Sequence, residues 1–259
     1  MNRISEKLTS LRAAHKKALV LFLTAGYPRI DATAELVLAC EDAGADIIEI
    51  GMPFSDPIAD GPIIQMTSAV ALRNGVTLQS ILDTVTHLRV ASRIPVVLMG
   101  YMNPILRFGV DAFFRGAALA GVDGIILPEL PLEESDRVRG EVAASGLAHI
   151  HLVTPTSPPD RIRMIDSISS GFLYCVSTTG VTGSSGSLAS EEYVRRVKTL
   201  ARVNPVMVGF GVRTPEDAAR YASVADGVIV GSALLERLSN SEPAERIGGW
   251  VRSMKSAMG

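Results

Sequence analysis

Eight short runs of β-branched and apolar residues recur along the chain, and each is followed by a longer stretch with helical spacing. The runs fall at 19–24, 46–51, 95–101, 122–127, 148–153, 171–176, 205–209 and 226–230. Strands this uniformly apolar must be covered on both faces, the condition met in a parallel sheet wrapped by helices. Eight such units with no domain-sized linker predict an α/β fold, a closed (β/α)8 TIM barrel, in a single domain over residues 1–259. The competing architecture is an open doubly wound sheet, which needs a phosphate loop after its first strand. The turn in that place, AGYPRID, has one Gly and a Pro and does not supply one. Three helical stretches run into a stopping glycine, at Gly44, Gly121 and Gly146.

Two further elements stand outside the repeat. Ile4, Leu8 and Leu11 form one apolar stripe, so an extra N-terminal helix is expected, closing the bottom of the barrel. The second and third strands lie unusually far apart, and the excess holds GMPFSDPIADGPIIQMTSAVALRNG. This reads as a polar, Pro-rich loop followed by an inserted helix. A long loop at the C-terminal end of a barrel strand is where active sites sit. A second unusual loop, STTGVTGSSGSLAS, follows the sixth strand and has the composition of a lid.

Composition narrows the function. The 259 residues are 47% apolar and 20% charged, enough for a large core. There are 25 Lys and Arg against 27 Asp and Glu, with no basic run, so a nucleic-acid groove or an anionic membrane surface has no electrostatic support. Cys40 and Cys175 lack metal-ligand spacing and suit a reducing compartment. No signal-peptide pattern opens the chain, and the apolar runs stop short of the ~18 residues that span a bilayer. A soluble, cytoplasmic protein is expected.

Glu49 lies inside the strand DIIEIG. Alternation puts Ile48 and Ile50 on one face and Ile47, Glu49 and Gly51 on the other. The helix-facing side must be apolar, so Glu49 points into the barrel near its mouth. Burial there raises a carboxyl pKa and suits it to proton transfer near neutrality. Asp60 ends the following loop, and two carboxylates at one cavity can divide proton transfer from charge stabilisation. A phosphate site is expected where the Gly-rich turns after the seventh and eighth strands, Gly209–Val212 and Val230–Ala233, meet a helix starting near Ser232. Thr182 and Gly183 would close it from the sixth loop. Phe22, Met99, Tyr101, Ile126, Tyr174 and Phe210 lie at or near the strand ends and suit a flat apolar ligand. His149 and His151 have no third ligand beside them, so no metal site is read.

The stretch IEIGMPFSDPIADG resembles the signature of the tryptophan synthase alpha chain family. The resemblance covers the whole chain through LTAGYP, GYMNPI, LPELPLEE, STTGVTG, GFGV and VGSA. It implies retro-aldol cleavage of indole-3-glycerol phosphate to indole and glyceraldehyde 3-phosphate. Glu49 then matches the catalytic acid/base. Asp60 matches the carboxylate that holds the indole N–H. Phe22, Tyr101, Ile126, Tyr174 and Phe210 match the indole and glycerol pocket, and Gly183, Gly211, Gly231 and Ser232 the phosphate cradle. The resemblance also implies a beta chain partner in an alpha-beta-beta-alpha heterotetramer. That partner uses indole for L-tryptophan synthesis and carries pyridoxal phosphate, with no cofactor in this chain. Loops 53–60 and 178–187 would face it. The alternative is a standalone lyase releasing free indole. The chain departs from the family's usual forms at Glu129, Met66, Thr67 and Gly100.

Overall fold

Nine parallel strands form one sheet in the computed structural model, which describes residues 2–176, 191–209 and 211–259. They are β1 (Ala18–Thr24), β2 (Ile47–Gly51), β3 (Val96–Met99), β4 (Gly124–Ile126), β5 (Ala148–Ile150), β6 (Leu152–Val153), β7 (Leu173–Val176), β8 (Val206–Gly209) and β9 (Gly227–Val230). Their order is β5-β4-β3-β2-β1-β9-β8-β7-β6. The strands at the two ends of that order are consecutive in the chain, separated only by His151, so the sheet wraps into a barrel. The fifth apolar run is therefore one barrel position split in two. Its first half pairs with β4 and its second half with β7. Staggered neighbours in a closed barrel make different demands on the two halves of one strand.

The inward side chains build the first layer of the core. Val20, Ile47, Val97, Ile126, Ile150, Tyr174, Met207 and Ile229 pack together inside the barrel. The outward partners, such as Leu21, Ile48, Ile50, Leu98 and Val208, pack against the helices in a second, larger cluster. Burying one such aliphatic side chain contributes about 1.5–3 kcal/mol. The helix α1 (Arg3–Ala13) closes the foot as expected: Ile4 is fully buried and joins the inner layer with Leu8. Asn2 caps α1 through its side chain, and its Nδ2 donates to the Asp123 carbonyl at 2.7 Å.

Three aspartates staple the strand starts at that same foot. Asp46, just before β2, accepts the Leu19 N–H of β1 at 2.8 Å. Asp123, before β4, accepts the Val96 N–H of β3 at 2.9 Å. Asp226, before β9, accepts the Val206 N–H of β8 at 2.7 Å. Each carboxylate also meets a cation: Lys255 for Asp46, Arg3 and Arg89 for Asp123, and Lys198 for Asp226. A register slip by one residue would turn every side chain of a strand over. These staples oppose it, and they hold Glu49 opposite Phe22 on β1 and Val97 on β3.

Helices α2 (Ala32–Asp42), α4 (Leu78–Ala91), α6 (Val110–Ala120), α7 (Asp136–Ser145), α8 (Pro159–Ile168), α9 (Glu191–Leu200) and α10 (Pro215–Ala222) cover the barrel. Gly121 and Gly146 end α6 and α7 in left-handed conformation, as the stop signals predict. The inserted helix after β2 is α3 (Pro62–Arg73), which begins with Pro where its missing N–H costs nothing. The eighth covering helix is α12 (Ala244–Ala257), which packs between α10 and α2, and beyond the simple repeat come α5 (Met102–Phe108) and α11 (Ser232–Ser239). Among the described residues no helix is long and apolar enough to cross a membrane.

Candidate active site

The strand β2 places Glu49 on the inner wall, with Ile47 in the barrel interior and Ile48 and Ile50 among the helix-facing residues. Its side chain is fully buried, and neither carboxylate oxygen has a hydrogen-bond partner among the described residues. Burial pushes its pKa up to about 8, because the charged form has lost water and gained no donor. Gly51, two residues on, has to be Gly. A Cβ there would lie 2.4 Å from the ring of Phe22, which crosses the strand end at this point. Phe22 itself is buried against Ile64 of α3 and Leu235 of α11.

Asp60 is held by the loop that leads into α3. Its N–H bonds to the Pro57 carbonyl at 3.1 Å, and its own carbonyl accepts from Gln65 at 2.9 Å. Its carboxyl is pushed up to about 6, chiefly by burial; a hydrogen bond from Tyr101 opposes the rise and the charge of Glu129 adds to it. Tyr101, at the end of β3, is the pin of this wall. Its hydroxyl accepts the Ala59 N–H at 3.0 Å, and its ring lies 5.3 Å from that of Phe54 in a tilted pair. Phe22, Gly51, Asp60, Met99, Tyr101 and Pro128 border a common cavity.

Tyr174 of β7 is buried, and its hydroxyl proton is held tightly, first by burial and then by the charges of Glu49 and Asp60. Its ring lies across the end of β8, where a Cβ on Gly209 would sit 2.3 Å from the phenol oxygen. Ile126 belongs to the same inner layer. On the far rim, α11 begins at Ser232 after Gly231, whose backbone lies outside the helical region. The first helical hydrogen bonds run from Leu234 and Leu235 to the Gly231 carbonyl. The N–H groups of Ser232 and Ala233 precede them, where a helix start offers its donors to an anion. Gly211 turns the chain after β8 with φ 81°, a conformation that favours Gly. Gly231 also packs against Phe22, so this helix start adjoins the apolar pocket.

The structure thus brings together Glu49, Asp60, Phe22, Tyr101, Ile126 and Tyr174, with Gly211, Gly231 and Ser232 at the strand ends of β8 and β9. Thr182, Gly183, Phe210 and the 178–187 loop lie outside the described residues. Two residues that act on Tyr101 and Asp60 from outside the cavity have no signal in the sequence that assigns them to the site. Phe54 is a lone aromatic in a polar loop, and Glu129 stands out only as a departure from the family pattern. Two of the other departures have local reasons, and nothing in the structure explains Met66. Thr67 is buried and shares a 2.8 Å hydrogen bond with Thr24. Gly100 makes room for Met52, whose Cε would lie 2.7 Å from a Cβ at that position. His149 and His151 are buried, their rings 4.0 Å apart, and burial lowers both, to about 3 and about 4. Among the described residues no group of three or more His, Cys, Asp or Glu side chains is placed to hold a metal ion.

The family model described as tryptophan synthase alpha chain matches residues 8–255. The tryptophan synthase alpha chain of Geotalea daltonii is 47% identical over 262 residues, covering 100% of this chain and 99% of that one. Among solved structures, the tryptophan synthase alpha chain of Legionella pneumophila superposes with a TM-score of 0.90 at 38% identity, over 100% of this chain and 97% of the other. A chain of tryptophan synthase from M. tuberculosis, in an aminoacrylate-bound form, gives 0.89 at 37% identity with both chains fully covered.

Proposed function

The chain belongs to the tryptophan synthase alpha chain family, and from that premise we propose that Glu49 and Asp60 carry its lyase chemistry, the cleavage of indole-3-glycerol phosphate to indole and glyceraldehyde 3-phosphate. One observation carries the assignment: a fully buried carboxyl group on the inner barrel wall that nothing in the described protein neutralises.

The reaction needs a proton delivered to indole C3 and a proton removed from the adjacent glycerol hydroxyl. With its pKa near 8, Glu49 enters the reaction protonated at neutral pH and donates to C3. That makes the indolenine, with positive charge at the ring nitrogen. Asp60, near 6, is mostly ionised at the same pH. It accepts the ring N–H and stabilises the cation as it forms. Glu49, now a carboxylate, takes the hydroxyl proton. The C–C bond breaks, its electrons return to the ring, and indole and the aldehyde leave. Phe22, Ile126 and Tyr174 supply apolar walls for the ring. Gly211, Gly231 and Ser232, joined by Thr182, Gly183 and Phe210, hold the phosphate and the pocket's outer edge.

A beta chain partner follows from the family, and the alpha-beta-beta-alpha assembly is our reading of how it is met. The support is a cleft of about 790 Å³ beside the catalytic loop, lined by Phe54, Leu72, Leu78, Pro104 and Phe108 among others. Ile58 is 78% exposed and Leu106 59% exposed on the segments that form this end. Pyridoxal phosphate chemistry is assigned to the partner and no cofactor to this chain, which we place in the cytoplasm.

The test is indole release from indole-3-glycerol phosphate, measured with and without a beta chain. Activity that rises severalfold with the partner supports the subunit reading. Full activity of the isolated chain favours the standalone lyase, and no indole under either condition overturns the proposal.

A further inference from the structure

Unpaired acceptors on buried carboxylates are rare, because desolvation without a donor is costly. Among the described residues they belong to two side chains only: both oxygens of Glu49 and the Oε2 of Glu129. The other oxygen of Glu129, Oε1, accepts the Met102 N–H at 2.5 Å. Met102 opens α5 directly after Tyr101. The carboxylate of Glu129 therefore grips the peptide next to the residue that pins the catalytic loop. Tyr101 in turn accepts the Ala59 N–H and bonds the Asp60 carboxyl. The three groups come from three separate connections, after β2, β3 and β4. The bond from Glu129 to Met102 ties the third connection to the second.

The charges facing Asp60 are all acidic or neutral. Glu129 acts on it from the β4 side and Tyr101 from the β3 end. Tyr174 of β7 senses both Asp60 and Glu49. Among the described residues no Lys or Arg forms an ion pair with Glu129, Asp60 or Glu49. Arg161, the cation bonded to the loop after β4, is taken by Glu133.

We propose that Glu129 is a positioning residue for Asp60: one oxygen clamps the Tyr101–Met102 junction, and the carboxylate as a whole adds negative charge to the surroundings of Asp60. The inference rests on the reading of Asp60 as the group that receives the indole N–H. Its first consequence is geometric, since losing the clamp frees Tyr101 and with it the loop that carries Asp60. Its second is electrostatic: the neighbouring charge makes Asp60 a stronger base than its hydrogen bond to Tyr101 alone would leave it. A stronger base shares the indole N–H proton more fully as the ring gains positive charge.

Glu129→Gln separates the two effects. Its amide oxygen still accepts the Met102 N–H, while the charge is gone. The Asp60 carboxyl, followed by ¹³C NMR in the isolated chain, is expected to titrate at least about half a pH unit lower than in the parent. The acid limb of kcat/KM should move with it. Glu129→Ala removes the clamp as well and is expected to lower kcat about tenfold or more with KM within about threefold. Glu129→Asp should restore part of that loss. An Asp60 titration unchanged in Glu129→Gln overturns the electrostatic half. Parental kcat in a folded Glu129→Ala overturns the clamp. If Glu129→Ala does not fold, the NMR titration of Glu129→Gln still decides. A parent chain that releases no indole would defeat the lyase reading, while the NMR comparison would still report on Glu129.

Discussion

Replacing Glu49 with Gln is expected to stabilise the fold while abolishing turnover, and the gain should depend on pH. In the unfolded chain Glu49 loses its proton above about pH 4.5. In the folded barrel burial holds the proton until about pH 8. Between those values the native state binds more protons than the unfolded state, so stability falls as pH rises. Each pH unit separating the two midpoints corresponds to about 1.4 kcal/mol. The cost attributable to this one group is therefore about 1 kcal/mol at pH 5 and on the order of 4 kcal/mol at pH 8. Gln has nearly the same shape and no proton to lose. Urea unfolding of both chains at the two pH values, followed by the fluorescence of Trp250, measures the difference. Any fixed offset from the substitution cancels between the two pH values. An advantage of Glu49→Gln that grows by about 3 kcal/mol from pH 5 to pH 8 is expected. Indole release should fall by about a hundredfold or more. An equal offset at both pH values would mean that the carboxyl is hydrated or paired in solution, and the assignment of Glu49 as a neutral acid would fail.

The other predictions concern neighbouring parts of the site. The kcat/KM profile of the parent should be bell-shaped, rising near pH 6 as Asp60 ionises and falling near pH 8 as Glu49 loses its proton; Asp60→Asn should remove the acid limb and about two orders of magnitude of rate. Tyr101→Phe deletes the donor to Asp60 and the acceptor of the Ala59 N–H, so the acid limb should move to higher pH, because that hydrogen bond lowers the Asp60 pKa. Gly51→Ala forces a Cβ into the ring of Phe22 and should cost about 1–3 kcal/mol, read from the denaturant midpoint, while weakening binding of an indole analogue. Ile4→Ala should cost about 2–5 kcal/mol, read by thermal unfolding, with KM little changed because the foot lies away from the pocket.

Much of this was legible in the residues. Alternation alone located all eight barrel positions, since a strand covered on both faces leaves a run of apolar residues that a helix with one wet face does not. Period-2 reasoning oriented Glu49 correctly because its neighbours Ile48 and Ile50 can face only the helices. The break at His151 was hidden, because it reflects how two neighbouring strands share one, a long-range demand with no local code. The short helix α5 was hidden by its length and by Pro104 inside it. The strand-start aspartates were visible as letters in DIIEIG, VDGIIL and DGVIV. Their task appeared only with the neighbouring strand in place. Glu129 shows the same limit at the site: its spacing says it follows a strand, but the unpaired oxygen is a property of three loops meeting.

The stopper at the foot of the barrel has a consequence for synthesis. Asn2, Arg3 and Ile4 leave the ribosome well before the residues they dock onto. The Asn2 side chain reaches a carbonyl 121 residues downstream, and Ile4 packs against Gly124 and Gly171. Until the chain around Gly171 has emerged, this amphipathic segment has no complete seat. Its apolar stripe has to wait for these residues, and the cylinder is corked from below only after they have taken their places.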